Sequence, residues 1–222
     1  MQIQQQIAIV IHGNAFLRGF QTAGFFPSHD SFKFYKQVQF VRLEQQGAKW
    51  REKPFAADPN DWFKRLAERR AVGLRLESKP VDRNLVAFAE AAGNWPIGVD
   101  LPDTSESWAE RAEVANRDDP NGRIWKATYG RIAWDLPRNE FSRPALSGTL
   151  ARMETVLSEI SAFARREHLE GWASDCFEPG LQQLKSTSSH SRGTDLSPPG
   201  VLDPDAERAL RAAAASWPFG GM

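Results

Sequence analysis

The stretch Trp108–Trp134, WAERAEVANRDDPNGRIWKATYGRIAW, decides how this chain is read. At its centre stands Asp119-Pro120-Asn121-Gly122. Proline presets φ at the first turning position, asparagine tolerates the next, and glycine takes the left-handed position that closes a turn. The segment after it, Arg123 to Trp134, alternates as a long strand rich in aromatic residues. A period of two places Trp125 and Tyr129 on one face, with Arg123 and Arg131 at the ends of that face. The segment before it, Ser105 to Asn116, fits either a helix or a strand by periodicity, and the turn favours the strand. A hairpin is therefore expected, and its aromatic face is either half of a core or a recognition platform.

Working outward toward the N-terminus, Ile7-Ala8-Ile9-Val10-Ile11 reads as a buried strand, and Phe32 to Leu43 as an alternating one. Gln45 to Asp58 is polar and ends on a helix-start signal. Asp58 is the N-cap, Pro59 opens the first turn, and Trp62, Phe63, Leu66 and Ala67 form one side. Val72 to Glu77 predicts a strand, Asp82 to Ala92 a short helix, and Trp95 to Leu101 another strand. This order predicts an α+β fold, a mixed or mainly antiparallel sheet with helices packed on one face.

Toward the C-terminus the pattern changes. Apolar residues from Leu146 to Ala164 recur at spacings of three and four, which predicts an amphipathic helix. A second helix over Trp172 to Leu184, interrupted near Pro179-Gly180, completes a helical hairpin. The domain reading is one α+β domain over 1–185, sheet-rich over 1–143 and helical over 144–185. A polar Ser/Pro/Gly linker follows over 186–203, then a C-terminal helix and aromatic tail over 204–222.

Composition excludes several classes. The 222 residues carry 28 basic and 28 acidic side chains, so the net charge is zero and the whole-protein field attracts neither nucleic acid nor an anionic membrane. The single cysteine, Cys176, forms no intrachain disulfide and is flanked by Asp175 and Glu178, which suits a structural thiol. The opening residues carry no basic n-region, and the Ile7–Ile11 run is too short for a signal sequence or a span. A cytoplasmic protein of bacterial type is expected.

Motifs for chemistry are sparse. His12, His29, His168 and His190 are not spaced as metal ligands, and no phosphate loop is present, so no metal and no cofactor are expected. Ile9-Val10-Ile11-His12-Gly13-Asn14 resembles the oxyanion-hole segment of α/β-hydrolases, which would follow a strand with exposed backbone N–H groups. The chain has no Gly-x-Ser-x-Gly nucleophile elbow to go with it. His29 beside Asp30 could be one end of a general-base pair, while the acidic clusters at turns read as caps of backbone groups rather than catalysts, Asp100 at a strand end coming nearest to a catalytic position.

The leading expectation is a non-enzymatic binding or protein-interaction module. Its binding residues are Arg123, Trp125, Tyr129 and Arg131 on the strand and Trp217 and Phe219 on the tail. The alternatives are a small hydrolase using His12 or His29, and a nucleic-acid binder using the same strand face.

Overall fold

The computed structural model describes residues 2–22, 24–46, 49–77, 95–138, 145–186, 197–198 and 200–216. The chain divides into two compact units, 1–140 and 141–222.

The first unit is a six-stranded mixed sheet with the strand order β2-β1-β6-β5-β4-β3. The strands are β1 (Tyr35–Gln46), β2 (Lys49–Ala56), β3 (Gly73–Leu76), β4 (Ile97–Asp100), β5 (Thr104–Val114) and β6 (Trp125–Pro137). All neighbours are antiparallel except β1 and β6, the second and third strands in that order, which run parallel. The expected hairpin is β5–β6. Its turn holds Gly122 at φ 68°, and the Asp119 side chain accepts from the Asn121 backbone N–H at 3.0 Å. That is the positive φ the glycine was needed for.

Helices α1 (Gln2–Leu17) and α2 (Pro59–Glu68) belong to this unit. The α2 start is as expected: Asp58 accepts from the Asp61 N–H, and Pro59 sits in the first turn. The α1 helix corrects the strand expected at Ile7–Ile11. Its buried positions Gln5, Ala8, Ile9, His12 and Ala15 recur at three and four, a helical face. Five consecutive apolar residues fit a buried helix turn as well as a strand, and the glutamines before them are good helix formers.

The core lies between these helices and one sheet face. Phe40 of β1 is sandwiched between Trp62 of α2, centroids 4.3 Å apart, and Tyr129 of β6 at 5.0 Å. Trp108 of β5 meets Trp62 edge-on at 5.5 Å, and all four rings are fully buried. Val41, Leu43, Ala109 and Ile132 form a second, smaller cluster on the opposite face.

Both sheet edges are managed locally. The edge strand β2 contains Pro54, tolerated because an edge leaves N–H groups unpaired, and it carries Lys49, Arg51, Glu52 and Lys53. At the other edge Asn14 stands in for a missing strand. Its Nδ2 donates to the Leu74 carbonyl at 2.8 Å, and its Oδ1 accepts from the Leu74 N–H at 2.9 Å. Gly13 beside it permits the close approach, since a Cβ there would strike the Leu74 side chain and sit 2.9 Å from the Phe63 ring.

The second unit is helical. α3 (Leu146–Arg166) is followed by a short turn (Glu170–Trp172), a π-helical turn (Ala173–Phe177), α4 (Glu178–Lys185) and α5 (Pro204–Ala215). The interruption foreseen near Pro179-Gly180 is this change of winding. Ala164, Ala173 and Phe177 form its core, with Leu157 and Cys176 packed against them. The C-terminal helix α5 folds back within its own unit: a Cβ on Gly180 would lie 3.1 Å from the Ala212 carbonyl. The helix expected at 82–92 and most of the 186–203 linker lie outside the described residues. Among the described residues, no helix is long and apolar enough to cross a membrane.

Candidate functional site

Strand alternation puts Ala127, Tyr129 and Arg131 of β6 on the face that carries Val38, Phe40 and Arg42 of β1. Helix α2 covers the middle of this face and ends at Glu68, with Arg69 as its C-cap. Beyond that end the face carries arginines. Arg42 and Arg131 occupy paired register positions on neighbouring parallel strands, an opposition of like charges that destabilises a sheet by itself.

Below them lies Glu106 of β5, its side chain 2% exposed. It accepts a bidentate pair from Arg69, at 2.7 and 2.6 Å, and a third hydrogen bond from Arg131 at 2.8 Å. Burial works against ionisation of Glu106, but the Arg69 and Arg131 guanidiniums outweigh it and hold the carboxyl below its usual range. One buried carboxylate thus anchors two guanidiniums.

Arg42 is not anchored in that way. Among the described residues no carboxylate lies within ion-pair distance of it, and its Nε is buried without a hydrogen-bond partner. Its guanidinium rests on the Phe55 ring, 4.2 Å from the centroid. Arg65 and Arg69 approach the same ring at 5.7 and 6.0 Å. Burial, and then the positive charges of Arg131 and Arg69, lower the Arg42 pKa. The platform continues at Trp134, which is 38% exposed and has Arg131 at 5.1 Å from its ring. Planar guanidiniums with free N–H groups suit the bidentate capture of carboxylate or phosphate.

The residues singled out from sequence are distributed differently. Tyr129 is fully buried, so it offers no open stacking face. Its hydroxyl donates to Gln5 Oε1 at 3.0 Å and Glu110 Oε2 at 3.2 Å, beneath α1. The helix covering it is the segment expected to be a strand, which is why the covering was not foreseen. Trp125 is half-buried at the start of β6, and Arg123 is exposed beside the turn. Only Arg131 of the four joins the arginine platform. Asp100 is held by Arg75 in an ion pair beside Glu77, whose other oxygen accepts from Ser107. Trp217 and Phe219 lie outside the described residues.

His12 and His29 are brought together, their rings edge-to-face at 5.0 Å, with Phe25 stacked on His12 at 4.0 Å. His12 is inside α1, however, so no strand end presents backbone N–H groups there, and the oxyanion-hole resemblance is corrected. Ser31 Oγ lies within hydrogen-bond reach of His29 Nδ1. Among the described residues no group of three or more His, Cys, Asp and Glu gathers to hold a metal ion. A cleft of about 490 Å³ opens between the end of α1 and α2, lined by Phe16, Phe20, Asn60 and Lys64 among others.

Arg42, Arg69 and Glu106 escaped sequence reasoning. One signal was available: Val38, Phe40 and Arg42 share a period of two, so an arginine occupied an inward position of a core strand. The buried carboxylate of Glu110 was also missed. Burial pushes it up to about 7, against hydrogen bonds from Tyr129 and Gln6 that favour ionisation. No protein-family model, characterised protein or solved structure matches this chain.

Proposed function

We propose that the protein is a non-enzymatic binding module that takes an acidic segment of a protein partner on the platform of Arg42, Arg69, Arg131, Phe55 and Trp134. The observation that carries this is Arg42: a half-buried guanidinium with no carboxylate within ion-pair distance among the described residues, its Nε unpartnered, beside the like charges of Arg131 and Arg69. A carboxylate arriving from a partner would neutralise the Arg42–Arg131 opposition while Phe55 and Trp134 supply apolar contact. A neutral chain with acids Glu44 and Asp135 in electrostatic reach of this patch favours a short acidic segment over a long polyanion. The C-terminal aromatic tail is a candidate second anchor, tested by deleting only residues 217–222, beyond the end of α5, and repeating the binding measurement with the partner.

The experiment is fluorescence anisotropy with a labelled glutamate-rich peptide, in parallel with inorganic phosphate competition and a labelled DNA duplex. The expected result is salt-sensitive peptide binding that weakens about tenfold in Arg42→Met, the loss of one charge-assisted contact. Equal peptide affinity in the variant, or no binding at low salt, refutes the proposal. Binding of the duplex in place of the peptide moves the reading to nucleic acid.

A second reading, a small hydrolase, is favoured by the meeting of His12 and His29 with Ser31 in hydrogen-bond reach of the latter. It predicts that His12→Ala abolishes turnover in an ester and phosphate panel while circular dichroism shows the chain still folded, although loss of the buried ring against Phe25 lowers Tm. A wild-type chain silent across that panel removes it.

A further inference from the structure

The long helix α3 presents two stripes. One packs inward through Leu157, Ser161 and Ala164. The other is apolar and faces out: Val156 is 58% exposed, Ile160 39% and Phe163 48%. A globular helix normally buries one stripe and solvates the rest, so three large apolar side chains on one outward stripe mark an interaction surface.

The stripe identifies its own partner. Arg152, Val156, Ile160, Phe163 and Glu167 follow one another at spacings of four, four, three and four. These positions share a helix face. Reversed, the order is acid, apolar, apolar, apolar, base, with nearly the same spacing. When two such helices run antiparallel about a point between Glu159 and Ile160, Val156 of one meets Phe163 of the other. On the same register Arg152 meets Glu167, and by the two-fold both contacts occur twice. Arg152 has no acidic partner among the described residues of its own chain, and Glu167 has only an exposed contact with Arg166 at 3.3 Å.

We infer that α3 is a self-docking helix, and that its partner is a second copy of this chain bound antiparallel across a two-fold axis near Ile160. The surface is self-complementary in its two Val156–Phe163 contacts and in its charged ends, which an unrelated partner would not require. This goes beyond the arginine platform, which lies in the other unit and is not needed for it. The arrangement also has one unfavourable contact. On the same register each Glu159 carboxylate, next to the axis, faces Ile160 of the other copy, so the dimer is held below the affinity its apolar stripe would otherwise give.

The test is sedimentation velocity on the full chain over a concentration series, with far-UV circular dichroism as the folding control. The wild type is expected to pass from the 24.9 kDa chain mass to twice that mass as concentration rises. Arg152→Glu and Glu167→Arg each weaken dimerisation about tenfold, since each replaces two ion pairs by two like-charge contacts. The double swap restores it, and Glu159→Gln strengthens it. Val156→Asp abolishes the dimer and, being an exposed position, leaves the spectrum unchanged. A wild type that stays monomeric at several hundred micromolar overturns the inference. So does a dimer indifferent to the charge swaps, because its interface would then lie elsewhere. The double swap is independent of any folding defect in Val156→Asp, because a merely unfolded single variant would not be rescued by a second reversal.

Discussion

Replacing Glu106 by Gln perturbs the arginine platform most sharply. The substitution keeps shape and removes the charge that anchors Arg69 through two hydrogen bonds and Arg131 through one. Removing one member of a buried ion pair costs about 3–5 kcal/mol, because the surviving charge is left uncompensated. Here the survivors are partly hydrated: the Arg69 side chain is 27% exposed and that of Arg131 16%. The lower end of the range is therefore expected, about 3 kcal/mol. For a unit of this size that lowers Tm by about 10 °C. Urea unfolding followed by tryptophan fluorescence and circular dichroism measures it, with Trp62 and Trp108 as buried reporters. The pH dependence supplies an internal check. The folded pKa of Glu106 is lowered, so its contribution is complete above the unfolded value and is lost as pH falls through the folded one. The gap between wild type and variant must therefore narrow in acid. Adding Arg42→Met to the variant removes one uncompensated guanidinium and should return part of the loss, a positive coupling in a double-mutant cycle. A loss below about 1 kcal/mol, in the range of an exposed pair, would refute the idea that Glu106 anchors the cluster.

Glu110 has the opposite sign: burial raises its folded pKa to about 7, so stability is greatest below the unfolded value and declines as pH rises through 7. Wild type should lose roughly 3 kcal/mol between pH 5 and 8 from this group, and Glu110→Gln should flatten that decline in a pH series of urea midpoints. Asn14→Ala removes both hydrogen bonds to the edge residue Leu74 and should cost about 1–3 kcal/mol, with faster amide exchange at Leu74. Gly13→Ala gains helix propensity but forces a methyl against Leu74 and Phe63, so a net loss of about 1–2 kcal/mol in thermal unfolding is expected. A stabilised Gly13→Ala would show that α1 can move off the sheet without penalty.

How much of this was readable from sequence depended on whether a signal was local. The α2 cap, the β5–β6 turn and the helical period of α3 are set by residues within a few positions of one another, and each was foreseen, but the single apolar stripe read along α3 divides into a buried face and an exposed one holding Val156, Ile160 and Phe163. The α1 segment was misread because Ile7, Ile9, Val10 and Ile11 are β-branched residues in a short run. What makes them helical is tertiary: Gln5 and Gln6 become partners for Tyr129 and Glu110, more than a hundred positions away. The same long-range step hid the site. Arg42, Arg69 and Glu106 come from three elements, and nothing in any one of them announces the other two. The mixed sheet was legible as a class, but the parallel pairing of β1 with β6 was not, since a crossover of this length leaves no local trace.

The burial of Tyr129 and the exposure of the arginine platform have a common cause. Both belong to one face of the sheet, and what separates them is where the covering helices stop. α1 lies over the Tyr129 hydroxyl, and α2 runs its last turn onto Arg69. Past that C-terminus the same face continues with Arg42 and Arg131. The side chains there have to tolerate water and also complement the negative end of α2, which favours cations. Arginine meets both demands, because its guanidinium packs on the Phe55 ring and still carries N–H donors for water or an anion. Glu106 accounts for Arg69 and Arg131 on grounds of stability, but no such account covers Arg42, set directly beside Arg131 in register. If Arg42 were there for stability alone, Arg42→Met would destabilise the chain. If it is there for an acidic ligand, the same change leaves the free chain as stable or more so and removes the stabilisation by added glutamate-rich peptide. Thermal unfolding of the two proteins, with and without that peptide, separates these outcomes. A free-chain Tm that falls in the variant would return the platform to architecture.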